Sequence, residues 1–354
     1  MRGAKYIASP EDGKEILRIL ESSAAQGGIE LVYTRRDDAY ASYMKEPGHA
    51  HVFVSKDGDR TVGTCAELIR DVYIGGERCK AAYVCGLKKD AQYDGLVVFG
   101  PGFIKALQHD DIDFYYCSVV ADNTEAHTMF GKGNRALSMQ PIAEYKTYIF
   151  SPKVRIKAPK HGMTFRQARS EDLPALLEFL NTQGKKKDLF PVLDSLESFH
   201  NLPYYNFYLL LDGSGIVACG ALWNQVSYKQ YIVKKYRGIM KLARIANPLL
   251  SSLGYIRLPK ENEPLDIAML SFFLSKDEKE LYYRIFLKEV RKEIAKSYAI
   301  FVLGLPRKHF AAPMLDKLPN ISFETKLYEI TFPWSKQSYK SVDPRTLFPE
   351  CALL

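Results

Sequence analysis

The chain has 354 residues, six cysteines and a formal net charge of +8 at pH 7. This length allows two domains of ordinary size, each able to bury its own core without disulfide bonds or a structural metal. The cysteines form no CxxC pair, the first residues lack a signal-peptide core, and no apolar run reaches membrane-spanning length, so we expect a cytoplasmic protein without a membrane span.

The first half of the chain predicts alternating strands and helices. A short strand ends near Ala8, and a helix over residues 10–22 follows a Ser N-cap with acids in its first turn. A β-hairpin turns at Asp57-Gly58, and residues 79–88 form a central strand. The other predicted elements are helices near 36–45, 103–108 and 123–132 and strands at 114–120 and 145–150.

The second half repeats this order. A strand and a helix at residues 165–180, a hairpin at Asp212-Gly213 and a central strand at 265–274 echo the first half, and a last strand at 327–332 closes it. Two domains of one fold in tandem explain the repetition. We predict domains at 1–150 and 163–335, a Pro- and Lys-rich linker at 151–162 and a C-terminal tail at 336–354.

One segment carries the excess positive charge. Residues 224–260 contain eight Lys or Arg residues and no Asp or Glu, and apolar residues from Ile239 to Leu253 recur among them at helical spacing. Three interpretations stay open: a lid over the groove between the domains, a surface for an anionic polymer or lipid head groups, or a solvated face that covers the second domain. We favour the covering role with a partial lid contribution, and a nucleic-acid partner is not expected.

Three stretches of the first half are similar to motifs of one enzyme family. Residues 83–95 resemble the strand and turn that enter the acyl-CoA loop of the GNAT superfamily of N-acyltransferases. Residues 121–132 resemble that family's Asn-x-x-Ala-x-x-Leu-Tyr-x-Lys stretch, where the asparagine caps a helix next to the thiol. Residues 139–148 resemble the strand pairing that ends such domains. The order of elements extends the resemblance to about Trp334.

The resemblance implies an α/β (α+β) protein of two tandem GNAT-like domains, each a mixed, mostly antiparallel twisted sheet flanked by helices. It also implies an acetyl-CoA site in the first domain. There a splay at the end of the central strand would free backbone groups for the pantetheine arm, and a turn would present N–H groups to the pyrophosphate. The implied cofactor-binding residues are Gly86, Leu87, Lys88, Lys89, Asp94, Gly95, Leu96, Val97, Asn123 and Phe130.

The chain departs from the family pattern in its phosphate loop. The family commonly has Arg/Gln-x-x-Gly-x-Gly/Ala, whereas this chain has Asp94 in the first place and neither later glycine. An aspartate beside a diphosphate adds repulsion, and a shifted loop at Gly100-Pro101-Gly102 is an alternative. The family's general-acid tyrosine aligns with Phe130. Residues 275–281 contain no glycine, so we predict that the second domain has lost the cofactor site.

Two side chains are candidates for catalysis, and each has an ordinary structural interpretation. Glu67 on a hairpin strand could deprotonate the amine directly or through water, but most such carboxylates are solvated. Tyr116 could donate to the leaving thiolate, but a strand tyrosine more often packs. His49 and His51 alternate on a strand without a third ligand nearby in sequence, so no metal is expected.

The leading prediction is an N-acetyltransferase that moves an acetyl group from acetyl-CoA to a primary amine of a small molecule or peptide. Binding both substrates in line supplies most of the rate in direct attack, so phenylalanine at position 130 does not exclude activity. One alternative is a non-catalytic acyl-CoA-binding sensor or scaffold. Another resembles the Fem-type aminoacyl-tRNA-dependent transferases, whose long helical hairpin the sequence does not contain; the basic segment would then bind RNA. The oligomeric state stays open.

Overall fold

The computed structural model describes residues 4–23, 28–95, 106–107, 109–131, 137–252, 256, 258–332 and 340–354. In the first half, the helix predicted after Ser9 forms because Asp12 Oδ2 accepts the backbone N–H of Ser9 at 3.0 Å, and it buries one apolar face. The elements of this half are the strands β1 (Ala4–Ile7), β2 (Ile29–Thr34), β3 (His49–Asp57), β4 (Arg60–Ile74), β5 (Glu77–Lys89), β6 (Phe114–Val120) and β7 (Ser138–Phe150), and the helices α1 (Gly13–Glu21), α2 (Ala39–Tyr43) and α3 (Thr124–Gly131).

The second half has the same alternation and a larger apolar core, which contains Trp223 and Phe272. Its elements are the strands β8 (Thr164–Gln167), β9 (Phe207–Asp212), β10 (Gly215–Trp223), β11 (Gln230–Tyr236), β12 (Ile267–Ser275), β13 (Ile300–Pro306) and β14 (Ile321–Thr331), and the helices α4 (Leu173–Gly184), α5 (Ile239–Ser252), α6 (Glu280–Ser297) and α7 (Ala312–Leu315). Both halves are mixed, mostly antiparallel sheets flanked by helices, as the sequence predicted.

The two halves share one continuous sheet of 12 strands, in the order β1-β3-β4-β5-β6-β14-β7-β13-β12-β10-β9-β8. The sequence predicts each closing strand in its own half, whereas the structure exchanges them: β14 pairs with β6, and β7 pairs with β13. The exchanged strands also pair with each other along most of their length. This pairing leaves no open strand edge between the halves, and an open edge would expose unpaired backbone groups.

Each half contains a parallel strand pair next to a bulge. Strands β5 and β6 pair through residues 81–83 and 114–116, and β12 and β13 pair through residues 267–269 and 300–302. Beside each pair the antiparallel register shifts, between Thr64 and Ala66 in β4 and between Cys219 and Ala221 in β10. At the two shifts, Gly86 (φ +61°) and Phe272 (φ +51°) occupy corresponding positions. The repeat therefore extends to the local backbone geometry.

The basic segment 224–260 joins the halves. Its strand β11 pairs antiparallel with β2 of the first half and forms with it a separate two-stranded sheet. The prediction that the apolar side chains of this segment cover the second domain is wrong for α5, because Ile239 is 79% and Leu242 is 66% exposed. The inward face of α5 is formed instead by Met240, Ala243 and Asn247. Within the described part of the chain, none of the helices combines the length and apolar character needed to cross a membrane.

Candidate functional site

Strands β5 and β6 are paired over only part of their length. Their register covers Ala81 to Tyr83 of β5, whereas β5 runs on to Lys89 and β6 to Val120. After Tyr83 the pairing ends while β6 continues beside β14, which leaves a gap between β5 and β6 that we call the opening. The family resemblance implies such a splay at the end of this central strand. Backbone groups of β5 beyond Tyr83 line the opening on one side.

Gly86 lies at this opening, and its position favours glycine for two reasons. Its φ of +61° is a conformation that other residues rarely adopt, and an added Cβ would collide with the hydroxyl oxygen of Tyr43. Tyr43 is fully buried, and its hydroxyl has no hydrogen-bond partner among the described residues. A buried polar atom without a partner is costly, so this hydroxyl is a candidate to contact a ligand.

A buried cluster of charges surrounds Tyr43. The Arg35 guanidinium lies 3.9 Å from the centre of the Tyr43 ring, and its Nη2 donates to Glu46 Oε1 at 2.5 Å. Arg70 Nη1 donates to the Leu353 carbonyl oxygen at 3.2 Å. Within the described ranges, Glu46 Oε2 and the Nε and Nη2 atoms of Arg70 have no partner. The cluster therefore offers both donors and an acceptor.

Electrostatics sets the protonation of this cluster. Burial alone would raise the pKa of Glu46, but Arg35, Lys229 and Arg70 outweigh it and hold this pKa below its ordinary value. Burial raises the pKa of the Cys85 thiol to about 11. At neutral pH Glu46 is ionised and Cys85 keeps its proton, so a carboxylate and not a thiolate is the base available here.

Comparisons with known proteins agree with this geometry. No family profile and no curated protein matches the chain. Among solved structures, the chain is similar to Saccharomyces cerevisiae N-myristoyltransferase with bound myristoyl-CoA, at TM-score 0.57 and 10% identity, over 97% of this chain and 85% of that one. GCN5-related N-acetyltransferases are also similar: that of Anabaena variabilis at TM-score 0.51 and 10% identity, over 92% and 72% of the two chains, and that of Kribbella flavida at 0.50 and 11%, over 92% and 70%. The chain has a GNAT-type fold.

In the second half of this GNAT fold, the corresponding opening is filled by the chain itself. The backbone N–H of Phe272, at the position equivalent to Gly86, donates to Glu350 Oε2 at 2.7 Å, and Ala352 N–H donates to Glu350 Oε1 at 3.2 Å. Residues 351–353 form a short turn against β12 and β13. Burial raises the pKa of Glu350 to about 7. The second half thus holds an internal carboxylate where a ligand would otherwise meet the bulge.

The same segment reaches the first-half site. Lys229 Nζ donates to the oxygens of Ala352 at 3.2 Å and Leu354 at 2.9 Å. The Tyr145 hydroxyl donates to the Pro349 carbonyl oxygen at 3.2 Å. Burial lowers the pKa of Lys229. Residues 349–354 therefore connect the two openings of the sheet.

The structure places some of the implied cofactor residues at the rim of the opening. Leu87 is 48% exposed, and Lys89 and Asp94 are exposed. Lys88 instead contacts the end of α1, where its Nζ donates to the carbonyl oxygens of Ser23 and Leu20. Burial lowers the pKa of Lys88 to about 8. Its ammonium group is therefore turned towards α1.

The remaining implied cofactor residues follow β6 or lie in the turn after β5. Asn123 Oδ1 accepts the backbone N–H of Ala126 at 3.1 Å and so caps α3, the role that the resemblance gave it. Gly95 lies against the Tyr93 ring. Outside the described residues are Leu96, Val97, the alternative loop Gly100-Pro101-Gly102 and the side chain of Phe130.

Glu67 is fully buried and not solvated. Its Oε2 lies 3.1 Å from His51 Nδ1 and 2.9 Å from His109 Nε2, and its Oε1 has no partner among the described residues. The hydrogen bond with Glu67 raises the pKa of His109. Successive strand residues point to opposite faces, and Ala66 packs in the same core as Tyr43, so Glu67 faces the other side of the sheet.

This trio has the composition of a metal-binding set. The three ligand atoms lie within 4.8 Å of one another, and two histidines with one carboxylate are donors that suit zinc. No third ligand is evident near His51 in the sequence because the partner histidine, His109, is 42 residues from Glu67 along the chain. Only the fold brings the three together.

Tyr116 lies in the core on the Tyr43 side of the sheet. It is 2% exposed, and its ring centre lies 5.0 Å from that of Tyr83, whose hydroxyl is 2.5 Å from Ser118 Oγ. Burial raises the pKa of Tyr116, so its hydroxyl keeps its proton at neutral pH. The sequence predicts no functional role for Tyr43, Glu46 or Arg70. Isolated polar residues in or beside helix α2 and strand β4 form no motif.

Proposed function

We propose that this chain is an N-acyltransferase that binds acyl-CoA in the opening between β5 and β6 of its first half. The observation that carries the proposal is the diverging strand pair with Gly86 at its bulge, beside which lie buried polar atoms that no other described residue pairs with. The acyltransferases named above share the fold, and one of them was crystallised with myristoyl-CoA. The sequence resemblance favours acetyl-CoA as the co-substrate.

The second half indicates how an acyl group would be held. There the N–H of Phe272 donates to a carboxylate oxygen of Glu350. At the equivalent point of the first half, the N–H of Gly86 would donate to the thioester carbonyl oxygen of acyl-CoA. A fixed backbone donor stabilises the negative charge that develops on this oxygen as the amine attacks.

The buried cluster would bind the acceptor. Tyr43 Oη and Glu46 Oε2 can accept hydrogen bonds from an amine, and the Nε and Nη2 groups of Arg70 can donate to an oxygen of the same molecule. The acceptor would therefore be a primary amine that carries a carbonyl or carboxylate oxygen nearby, as an amino acid or a peptide N-terminus does.

The reaction would use Glu46 as the base. The amine nitrogen forms a bond to the thioester carbon, the bond from that carbon to sulfur breaks, and CoA leaves as its thiolate. The ionised Glu46 accepts the proton that the nitrogen loses, and the thiolate is protonated from solvent. The roles of Glu67 as base and Tyr116 as acid stay predictions, as do the cofactor contacts of Leu87, Lys89, Asp94 and Asn123.

Calorimetric titration and a thiol-release assay test this function together. We expect binding of acetyl-CoA or a longer acyl-CoA, and release of free CoA when amino acids or short peptides are added. Saturable binding without CoA release from any amine would point to the sensor or scaffold alternative. Absence of acyl-CoA binding, with transfer from charged tRNA, would point to the Fem-type alternative.

A further inference from the structure

Helix α5 presents an apolar stripe to solvent. Ile239, Leu242, Ile245 and Leu249 are 79%, 66%, 72% and 70% exposed. On a helix that only covers a domain, the apolar face turns inward and the polar face outward. Large apolar side chains that are exposed side by side mark a binding surface.

Contacts on the inner side fix this orientation. Asn247 is buried; its Nδ2 donates to the Ile256 carbonyl oxygen and its Oδ1 accepts the N–H of Leu258, both at 2.8 Å. Met240 and Ala243 pack against the small core that includes Tyr236. Rotating α5 to bury the stripe would break both hydrogen bonds of a buried amide, so the stripe stays outside.

The segment that carries the stripe is basic. Lys241 is exposed on the helix itself, Lys235 is exposed at the end of β11, and no acidic residue occurs between residues 224 and 260. Arg237 pairs with Glu30, which balances one charge. An apolar stripe on a segment rich in lysine matches the boundary of an anionic bilayer, where acyl chains meet negatively charged head groups.

We propose that α5 is an interfacial helix that binds the surface of an anionic membrane with its apolar stripe inserted among the head groups. A second copy of the chain fits the surface less well, because a self-complementary interface would bring the same lysines towards one another. A nucleic acid would bind the positive charges but would leave the apolar stripe exposed to water, so it also fits the surface less well. This surface is separate from the acyl-transfer site and does not depend on its function.

Vesicle sedimentation of the full chain tests the proposal. We expect the protein to sediment with phosphatidylcholine vesicles that contain phosphatidylserine, much less with phosphatidylcholine alone, and less as salt increases. The triple variant Leu242→Gln, Ile245→Gln, Leu249→Gln should lose binding. The double variant Lys235→Gln, Lys241→Gln should weaken it by roughly tenfold or more. Leu281→Gln, at a 46% exposed leucine of α6, is the matched control and should bind as the wild type does.

Other outcomes would overturn the proposal. Sedimentation of the triple variant that equals that of the wild type would show that the stripe does not insert. A second outcome is a dimer of the wild type by light scattering, a monomer of the triple variant, and no vesicle binding by either protein. That combination would assign the stripe to contact with a second copy of the chain. Circular dichroism of each variant separates loss of binding from loss of folding.

Discussion

The backbone N–H of Phe272 donates to Glu350 Oε2 at 2.7 Å, at the position that Gly86 holds in the other half of the sheet. The two positions share a bulge and a positive φ but differ in what meets them. In one half an internal carboxylate fills the opening, and in the other a buried tyrosine hydroxyl lies beside it with no hydrogen-bond partner among the described residues. The opening of the second half is therefore filled by the chain itself, whereas the opening of the first half has a polar atom available to bond a ligand.

Glu350 should make stability depend on pH. Its pKa is raised by burial from 4.5 to about 7, so the folded chain binds its proton more tightly than the unfolded chain. Glu350 thereby contributes about 3 kcal/mol to the free energy of unfolding below pH 4.5. This contribution is lost as the pH rises towards 7. Urea denaturation across this range measures it. Glu350→Gln should remove this slope; an unchanged slope would show that another group causes it.

Gly86→Ala should weaken both stability and acyl-CoA binding. The matched control is Gly58→Ala, because Gly58 has a φ of +59° and no atom of the described residues lies within 4 Å of an added Cβ. Backbone strain alone should cost each variant about 1 kcal/mol of unfolding free energy. Only Gly86→Ala also displaces Tyr43, so we expect a larger loss and weaker acyl-CoA binding by calorimetry. Equal effects of the two changes would argue against a site at Gly86.

The substitution Tyr43→Phe should raise the stability of the protein and lower its rate of acyl transfer. The variant removes a buried hydroxyl that has no partner in the described part of the chain, so the free energy of unfolding should rise by about 1 kcal/mol. If the hydroxyl contacts the acceptor amine, CoA release should slow. Tyr83→Phe is the control: it removes a hydroxyl that is bonded to Ser118, and we expect it to lower stability by about 1 kcal/mol without slowing turnover. Wild-type turnover by Tyr43→Phe would remove this residue from the proposed mechanism.

Glu67→Gln should change the titration of His109. The hydrogen bond with Glu67 raises the His109 pKa above its ordinary 6.5, so this contact stabilises the fold below that pH and its effect is lost as the pH rises through the raised value. In the variant the pKa of His109 should fall towards 6.5, which NMR titration of the His109 ring can measure. Turnover of the same variant is a separate test. A fall of about a hundredfold would support Glu67 as the general base.

Local signals in the sequence predicted much of the fold. The Asp-Gly hairpin, the Ser9 cap and the alternating strands depend on neighbouring residues, so they can be read along the chain. The repeat followed from the same local patterns. The GNAT-type fold and the approximate place of the splay followed instead from the resemblance of residues 83–95, 121–132 and 139–148 to motifs of that family.

The tertiary structure alone decided which side chains meet at the candidate site. Arg70 and Leu353 are 283 residues apart, and Tyr43 reaches Gly86 only because α2 packs on the sheet. The exchange of β7 and β14 and the outward face of α5 depend on pairing and packing between distant segments. No local pattern encodes such contacts, because their free energy comes from burying and pairing groups that are neighbours only in the folded chain.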